Sequence, residues 1–277
     1  MSGNGSAPDT EDARAEHSKP VPLLSLEGVS AGYNQFRALF DVSIEIQAGR
    51  ATALVGPNGA GKTTVARVAT GLVEPTTGTL RVDGEDVTGQ PPHEIARRGI
   101  AHAPEGRAIF SSLSVEENLA LSFRQLFGRA GTKSALDRAF ELFPVLGRRR
   151  DQTAGSLSGG EQRMLTLGRV LVAEPRLLIA DELSLGLAPV ITTEVYMVLE
   201  RIRDAGTALL VVEQHIDHAL ALADQIVALD RGSVTFRGRP DEIDENVSYF
   251  LTHPSEADVT HPAPGEPDAT RDAPSTD

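Results

Sequence analysis

The 277-residue chain contains no cysteine, which excludes disulfides and thiolate metal sites. No apolar run approaches the roughly 20 residues that a membrane-spanning helix needs. The first 20 residues are polar and hold no apolar segment of a secretion signal, so the product is expected in the cytoplasm. A dominant basic stripe is also missing, which argues against nucleic acid as the main ligand. The net charge of −13 is concentrated at the ends. Residues 241–277 carry ten acids against one base, Arg271, while residues 21–240 sum to only −2. No internal repeat is present.

Hydrophobic residues make up 40% of the chain, an ordinary share for one sizeable globular domain. Residues 1–20 are rich in Gly, Ser and Asp, and 253–277 alternate proline with acids. Both are expected to be disordered tails because they can bury too little apolar surface. Between them, short apolar runs alternate with helical patterns, the pattern of an α/β fold. Strands are expected at 23–30, 42–46, 51–55, 176–180, 208–212, 226–229 and 233–236. A hairpin-like piece is expected at 79–87, turning at Asp83-Gly84. Helices are expected from Gly61 and over 115–127, 133–143, 158–172, 189–203, 215–223 and 240–251. The stretch 104–172 is nearly all helical and reads as an insertion into the α/β core.

Gly56-Pro57-Asn58-Gly59-Ala60-Gly61-Lys62-Thr63 matches the phosphate-binding loop (Walker A) in full, between an apolar strand and a helical run. Glycines let successive backbone N–H groups turn inward on phosphates, and the following helix adds its positive end. Lys62 should reach the β- and γ-phosphates of ATP, Thr63 should ligate Mg²⁺, and Thr64 should serve the α-phosphate region. Farther on, Leu177-Leu178-Ile179-Ala180-Asp181-Glu182 is a buried strand that delivers two carboxylates at its C-terminal edge. Asp181 can hold the Mg²⁺ shell, and Glu182 can orient water and accept its proton.

Leu157-Ser158-Gly159-Gly160-Glu161-Gln162 lies between these two motifs, in family-like order and spacing. With these three motifs, residues 22–251 resemble an ABC-transporter ATPase. The resemblance implies a P-loop NTPase (RecA-like) α/β core with an antiparallel β subdomain and an inserted helical subdomain, about 104–172, within a domain at 21–252. It implies that Ser158, Gly159 and Gly160 bind the γ-phosphate of ATP held by a second cassette, an identical copy or, as the resemblance favours, a sister protein. It also implies two polytopic permease subunits, a solute-binding protein and a peripheral place on the cytoplasmic face of the membrane. Tyr33 matches the aromatic that stacks on adenine. Segment 184–187 falls at the loop crossing to the partner, and 106–110 in the region that meets the permeases.

Three positions depart from the general family pattern. Glu105 stands where a glutamine usually senses the γ-phosphate and the metal, and a carboxylate there can still face Mg²⁺. Gln214 stands in register with the switch histidine; it can hydrogen-bond the γ-phosphate but carries no proton. His215, one place later, either substitutes or starts the next helix. Leu183 replaces the proline common after the catalytic glutamate. Pro-Glu-Gly-Arg at 104–107, Val-Glu-Gln at 212–214 and Ser-Leu-Gly-Leu-Ala-Pro at 184–189 resemble one of the two ATPases of branched-chain amino-acid importers. ATPases for urea or short amides are the alternative, and a non-transport ABC ATPase is a further one. A kinase or GTPase would leave 157–162 unexplained, and no guanine-reading Asn-Lys-x-Asp motif occurs. Arg148, Arg149 and Arg150 read as a solvated helix end.

Overall fold

The computed structural model describes residues 20–105, 108–214 and 216–243. Apart from Pro20, both expected tails lie outside them. Strands β1 (Leu24–Tyr33) and β2 (Phe36–Ile46) form an antiparallel hairpin, followed by β3 (Ala51–Val55) and α1 (Lys62–Ala69). Next come β4 (Thr77–Val82), β5 (Glu85–Asp86), α2 (Pro92–Arg97) and β6 (Ile100–Ala103). Three helices follow, α3 (Val115–Leu142), α4 (Pro144–Arg148) and α5 (Gly159–Leu171). The chain continues through β7 (Leu177–Asp181), α6 (Pro189–Asp204), β8 (Ala208–Glu213), α7 (Ile216–Leu222), β9 (Gln225–Asp230) and β10 (Ser233–Gly238).

Two sheets result. One is antiparallel, in the order β2-β1-β4-β5. The other runs β10-β9-β3-β8-β7-β6, parallel except for β10 at its edge. The central strands are apolar throughout because both of their faces are covered. On β8, Leu209 and Val211 pack with α3, α5 and α6, while Ala208, Leu210 and Val212 pack with α1 and the antiparallel sheet. The same two-residue alternation divides β7, with Leu178 and Ala180 on one side and Leu177 and Ile179 on the other. Phe123, Phe143 and Leu146 extend the first of these cores into the helical insertion.

Several expected boundaries move. The 23–30 and 42–46 strands belong to one long hairpin reaching Tyr33 and Phe36. Its register shifts repeatedly between Leu26 and Gly32, which hides the two-residue alternation. The Asp83-Gly84 turn is present, with both residues at positive φ (53° and 76°) as a tight hairpin turn requires. α2 and β6 were not expected as elements. The two helices expected at 115–127 and 133–143 are both present within α3 and meet at a kink at Gly128, where φ is 67°. Phe143 leaves that helix. Of the last expected helix, a single 3-10 turn at Pro240–Glu242 is seen, and 244–251 lie outside the described residues.

Candidate active site

The C-terminal ends of β3, β7 and β8 lie side by side, and each delivers part of the site. After Val55 the chain enters the phosphate loop, and α1 begins at Lys62 with no side chain capping its first N–H groups. Those amides therefore stay available to an anion at the positive end of the helix. Glycine is needed at two points. At Gly56 (φ 154°) a Cβ would sit 2.1 Å from the Leu229 carbonyl oxygen of β9. At Gly61 (φ 103°) it would meet the Ala38 carbonyl and the Leu39 side chain, each at 2.8 Å. Gly56→Ala should therefore force β9 from β3 and cost about 2–4 kcal/mol of stability, read by chemical denaturation. A midpoint equal to wild type would contradict this packing.

Lys62 is 4% exposed and folds back over the loop. Its Nζ donates to the Gly56 carbonyl (2.9 Å) and the Pro57 carbonyl (3.1 Å) and lies 3.4 Å from Glu182 Oε1. Asn58 and Gly59 are exposed at the tip, while Ala60 and Thr64 are buried. The Thr63 hydroxyl is 3.4 Å from Asp181 Oδ1. Asp181 is fully buried, and its Oδ2 has no hydrogen-bond partner. His102 Nε2 of β6 lies 3.8 Å from it and is likewise without a partner. Glu182 is 8% exposed, adopts φ 48°, and donates its N–H to the Val212 carbonyl at 2.8 Å.

Lys62, Thr63, Asp181 and Glu182 thus form one cluster. Gln214 sits half-buried immediately after β8. Tyr33 ends β1, partly exposed, its hydroxyl 3.1 Å from Arg67, whose guanidinium lies 5.8 Å from the ring centre. Glu105 is exposed on the segment leaving β6, and no hydrogen bond or ion pair joins it to the cluster. Gly106, Arg107 and His215 lie outside the described residues.

The Leu157–Gln162 loop is built separately. Ser158 caps α5 in a reciprocal box with Glu161 and is exposed together with Gly159. Gly160 instead faces inward: a Cβ there would lie 2.1 Å from the Ile191 side chain of α6. Arg148, Arg149 and Arg150 are exposed at the end of α4, Arg149 pairing with Glu161 at 2.7 Å and Arg150 with Glu116. No hydrogen bond or ion pair connects Ser158 with Lys62 within the described residues.

Three residues escaped the sequence reading. His102 faces Asp181. Arg163 of α5 donates to the Glu182 carbonyl (3.3 Å) and the Pro104 carbonyl (3.5 Å), tying α5 to the segments that bear Glu182 and Glu105. Glu213, 2% exposed at the end of β8, receives the Ser184 N–H at 3.2 Å on Oε1, and the Ser184 hydroxyl lies 2.7 Å from Oε2. Burial pushes its carboxyl above the usual range, against the lowering effect of the Ser184 bonds. A separate cavity of about 720 Å³ lies among Arg138, Leu142, Arg176, Ile202 and Thr207 at the opposite ends of β7 and β8, away from this chemistry.

A sequence model of the ABC transporter family matches residues 39–184. The chain belongs to this family. BraG of Pseudomonas aeruginosa, a high-affinity branched-chain amino acid transport ATP-binding protein, is 42% identical over 86% of this chain and 98% of its own length. LivF of Archaeoglobus fulgidus, a probable branched-chain amino acid transport ATP-binding protein, is 34% identical over 82% of this chain and 96% of its own. LptB of Escherichia coli, the lipopolysaccharide export system ATP-binding protein, is 33% identical over 82% and 95%. Among solved structures, the ATP-binding subunit of an ABC transporter superposes with a TM-score of 0.72 at 27% identity, covering 83% of this chain and 99% of that one. An ATP-binding cassette in its ADP conformation gives 0.71 at 26%, covering 84% and 95%. This ABC cassette has the P-loop NTPase fold, and the described residues include no helix long and apolar enough to cross a membrane.

Proposed function

We propose that this cassette hydrolyses MgATP to drive uptake of branched-chain amino acids through a pair of membrane permeases. The contact of Lys62 with Glu182 beside the bare oxygen of Asp181, at the strand ends, carries the chemical half of the reading. Its likeness to BraG and LivF supports the cargo.

A buried carboxylate oxygen with no hydrogen-bond donor, next to a threonine hydroxyl, fits a hard divalent cation such as Mg²⁺. Asp181 and Thr63 would hold it, with Glu105 available from the neighbouring segment. When bound, Mg²⁺ supplies positive charge to the β- and γ-phosphate oxygens. The chain's own residues do the rest. The loop amides of 56–64 cradle the phosphates, and Lys62 exchanges its two carbonyl partners for phosphate oxygens. Tyr33 presents its ring to adenine. Once Lys62 has moved to the phosphates, the Glu182 carboxylate is free to align water and take its proton, while Gln214 donates to the γ-phosphate.

Ser158 and Gly159 offer a second set of donors at the start of α5, exposed and separate from the cluster. A second cassette facing the first head-to-tail brings them to the γ-phosphate, so each site needs two chains. Closure on ATP and reopening after hydrolysis then move the permeases between their two states, with the cassette held at the cytoplasmic face of the membrane. A solute-binding protein would deliver the cargo.

Uptake of labelled leucine by cells lacking the gene should fall at least about tenfold and recover with the wild-type gene but not with Glu182→Gln, an active-site loss of the size expected for a general base. Unchanged leucine uptake with lost urea or short-amide uptake would replace the cargo. Unchanged uptake of all three would remove the importer reading.

A further inference from the structure

We infer that Glu213 is a positioning residue that locks the Ser184–Leu187 loop to the switch residue Gln214, so that the γ-phosphate end of β8 and the loop facing the second cassette move as one piece. This rests on the ATPase reading above and concerns how its catalytic carboxylate is held.

The geometry is specific. Glu213 is the last residue of β8 and directly precedes Gln214. Its two carboxyl oxygens are both engaged by one residue of another segment, Oε1 by the Ser184 backbone N–H and Oε2 by the Ser184 hydroxyl. Ser184 is two residues beyond Glu182, whose own N–H is bound to the carbonyl of Val212, the residue before Glu213. The ends of β7 and β8 are therefore laced three times within three residues of each strand. After Ser184 the chain turns tightly, with the Leu187 N–H on the Ser184 carbonyl at 3.1 Å, and Leu185 is exposed.

A buried acid is costly unless its hydrogen bonds are made, so its presence at 2% exposure calls for a use. An apolar residue would suit the apolar run Ala208–Val212 but would leave the Ser184 N–H and hydroxyl without their partner. Tyr196 of α6 is buried, its ring 5.0 Å from that of His218, and burial followed by the charge of nearby Glu213 holds its phenol in the neutral form. The two Ser184 bonds thus hold the carboxyl of Glu213 in one orientation. Glu182 sits at positive φ, a backbone state that persists only when its surroundings hold it, and the Ser184–Glu213 bonds are the nearest side-chain restraint downstream.

The test uses the full-length cassette with the cassette it pairs with, measuring steady-state hydrolysis and binding of a fluorescent ATP analogue. Glu213→Ala should lower kcat by about tenfold or more while the nucleotide Kd stays within about twofold, since a displaced catalytic group costs turnover and not ground-state binding. Glu213→Gln should stay within about threefold of wild type, because its amide keeps an acceptor for the Ser184 N–H and a donor for the hydroxyl. Ser184→Ala should lower kcat as well, and the double variant should be no worse than Glu213→Ala, as expected for residues acting as a unit. Wild-type turnover in Glu213→Ala, a Gln variant as impaired as Ala, or losses that multiply in the double variant would each overturn the assignment. If Glu213→Ala does not fold, Glu213→Gln and Ser184→Ala decide it alone, and full turnover in Ser184→Ala overturns it. A wild-type protein that binds but never hydrolyses ATP would instead remove the ATPase reading, and this inference with it.

Discussion

Glu182→Gln should bind MgATP about as well as wild type and lose roughly 10²–10³-fold in kcat, the usual worth of a positioned general base. The substitution keeps size and hydrogen-bonding reach and removes only the ability to accept a proton. It also removes the negative charge 3.4 Å from Lys62, so only the Gly56 and Pro57 carbonyls then compete with phosphate for that ammonium. Nucleotide affinity should therefore hold or rise slightly. Equilibrium binding and single-turnover hydrolysis on the same preparation separate the two effects. A variant that binds normally and turns over at the wild-type rate would assign the proton transfer elsewhere.

Lys62→Ala has the opposite signature. In the absence of nucleotide Lys62 is satisfied by two carbonyls and the Glu182 carboxylate, all within its own site. Binding trades these for phosphate oxygens carrying more charge. Charge-assisted contacts of this kind are worth roughly 1.5–3 kcal/mol each, so ATP affinity should fall about 10²-fold. The loss should be much smaller for AMP, which lacks the phosphates Lys62 reaches. Calorimetric titration with ATP, ADP and AMP measures the difference. Equal losses for all three nucleotides would mean that the variant had disrupted the loop and not a phosphate contact.

The parts of this site that could be read in the sequence are those whose partners are neighbours in the chain. The phosphate loop, the Asp181-Glu182 pair at a strand end, and the helix-opening loop Leu157–Gln162 each fit within eight residues. Glu213, Arg163 and His102 could not be read that way. Glu213 meets Ser184 across 29 positions, Arg163 reaches Pro104 across 59, and His102 faces Asp181 from a different strand. A signal did exist for Glu213, because an acid ending the apolar run Ala208–Val212 is costly there unless its hydrogen bonds are made.

The fold divides along similar lines. The central strands declared themselves as apolar runs because both of their faces are covered. The β1–β2 hairpin did not, since register shifts break its alternation and Phe36, at its turn, is 74% exposed. β6 was missed because Ile-Ala-His-Ala is four residues long with a polar residue inside it. The break between the two expected helices falls at Gly128, and the second starts earlier than expected because Gly131, beside Phe127, is already helical.

A structure of the Glu182→Gln cassette with MgATP and its pairing cassette tests the central claim most directly. The account predicts that Ser158 of one chain hydrogen-bonds the γ-phosphate whose other side is held by Lys62 of the opposing chain. A triphosphate bound by Lys62 while Ser158 of every chain faces solvent, or a phosphate loop empty at saturating MgATP, would contradict it.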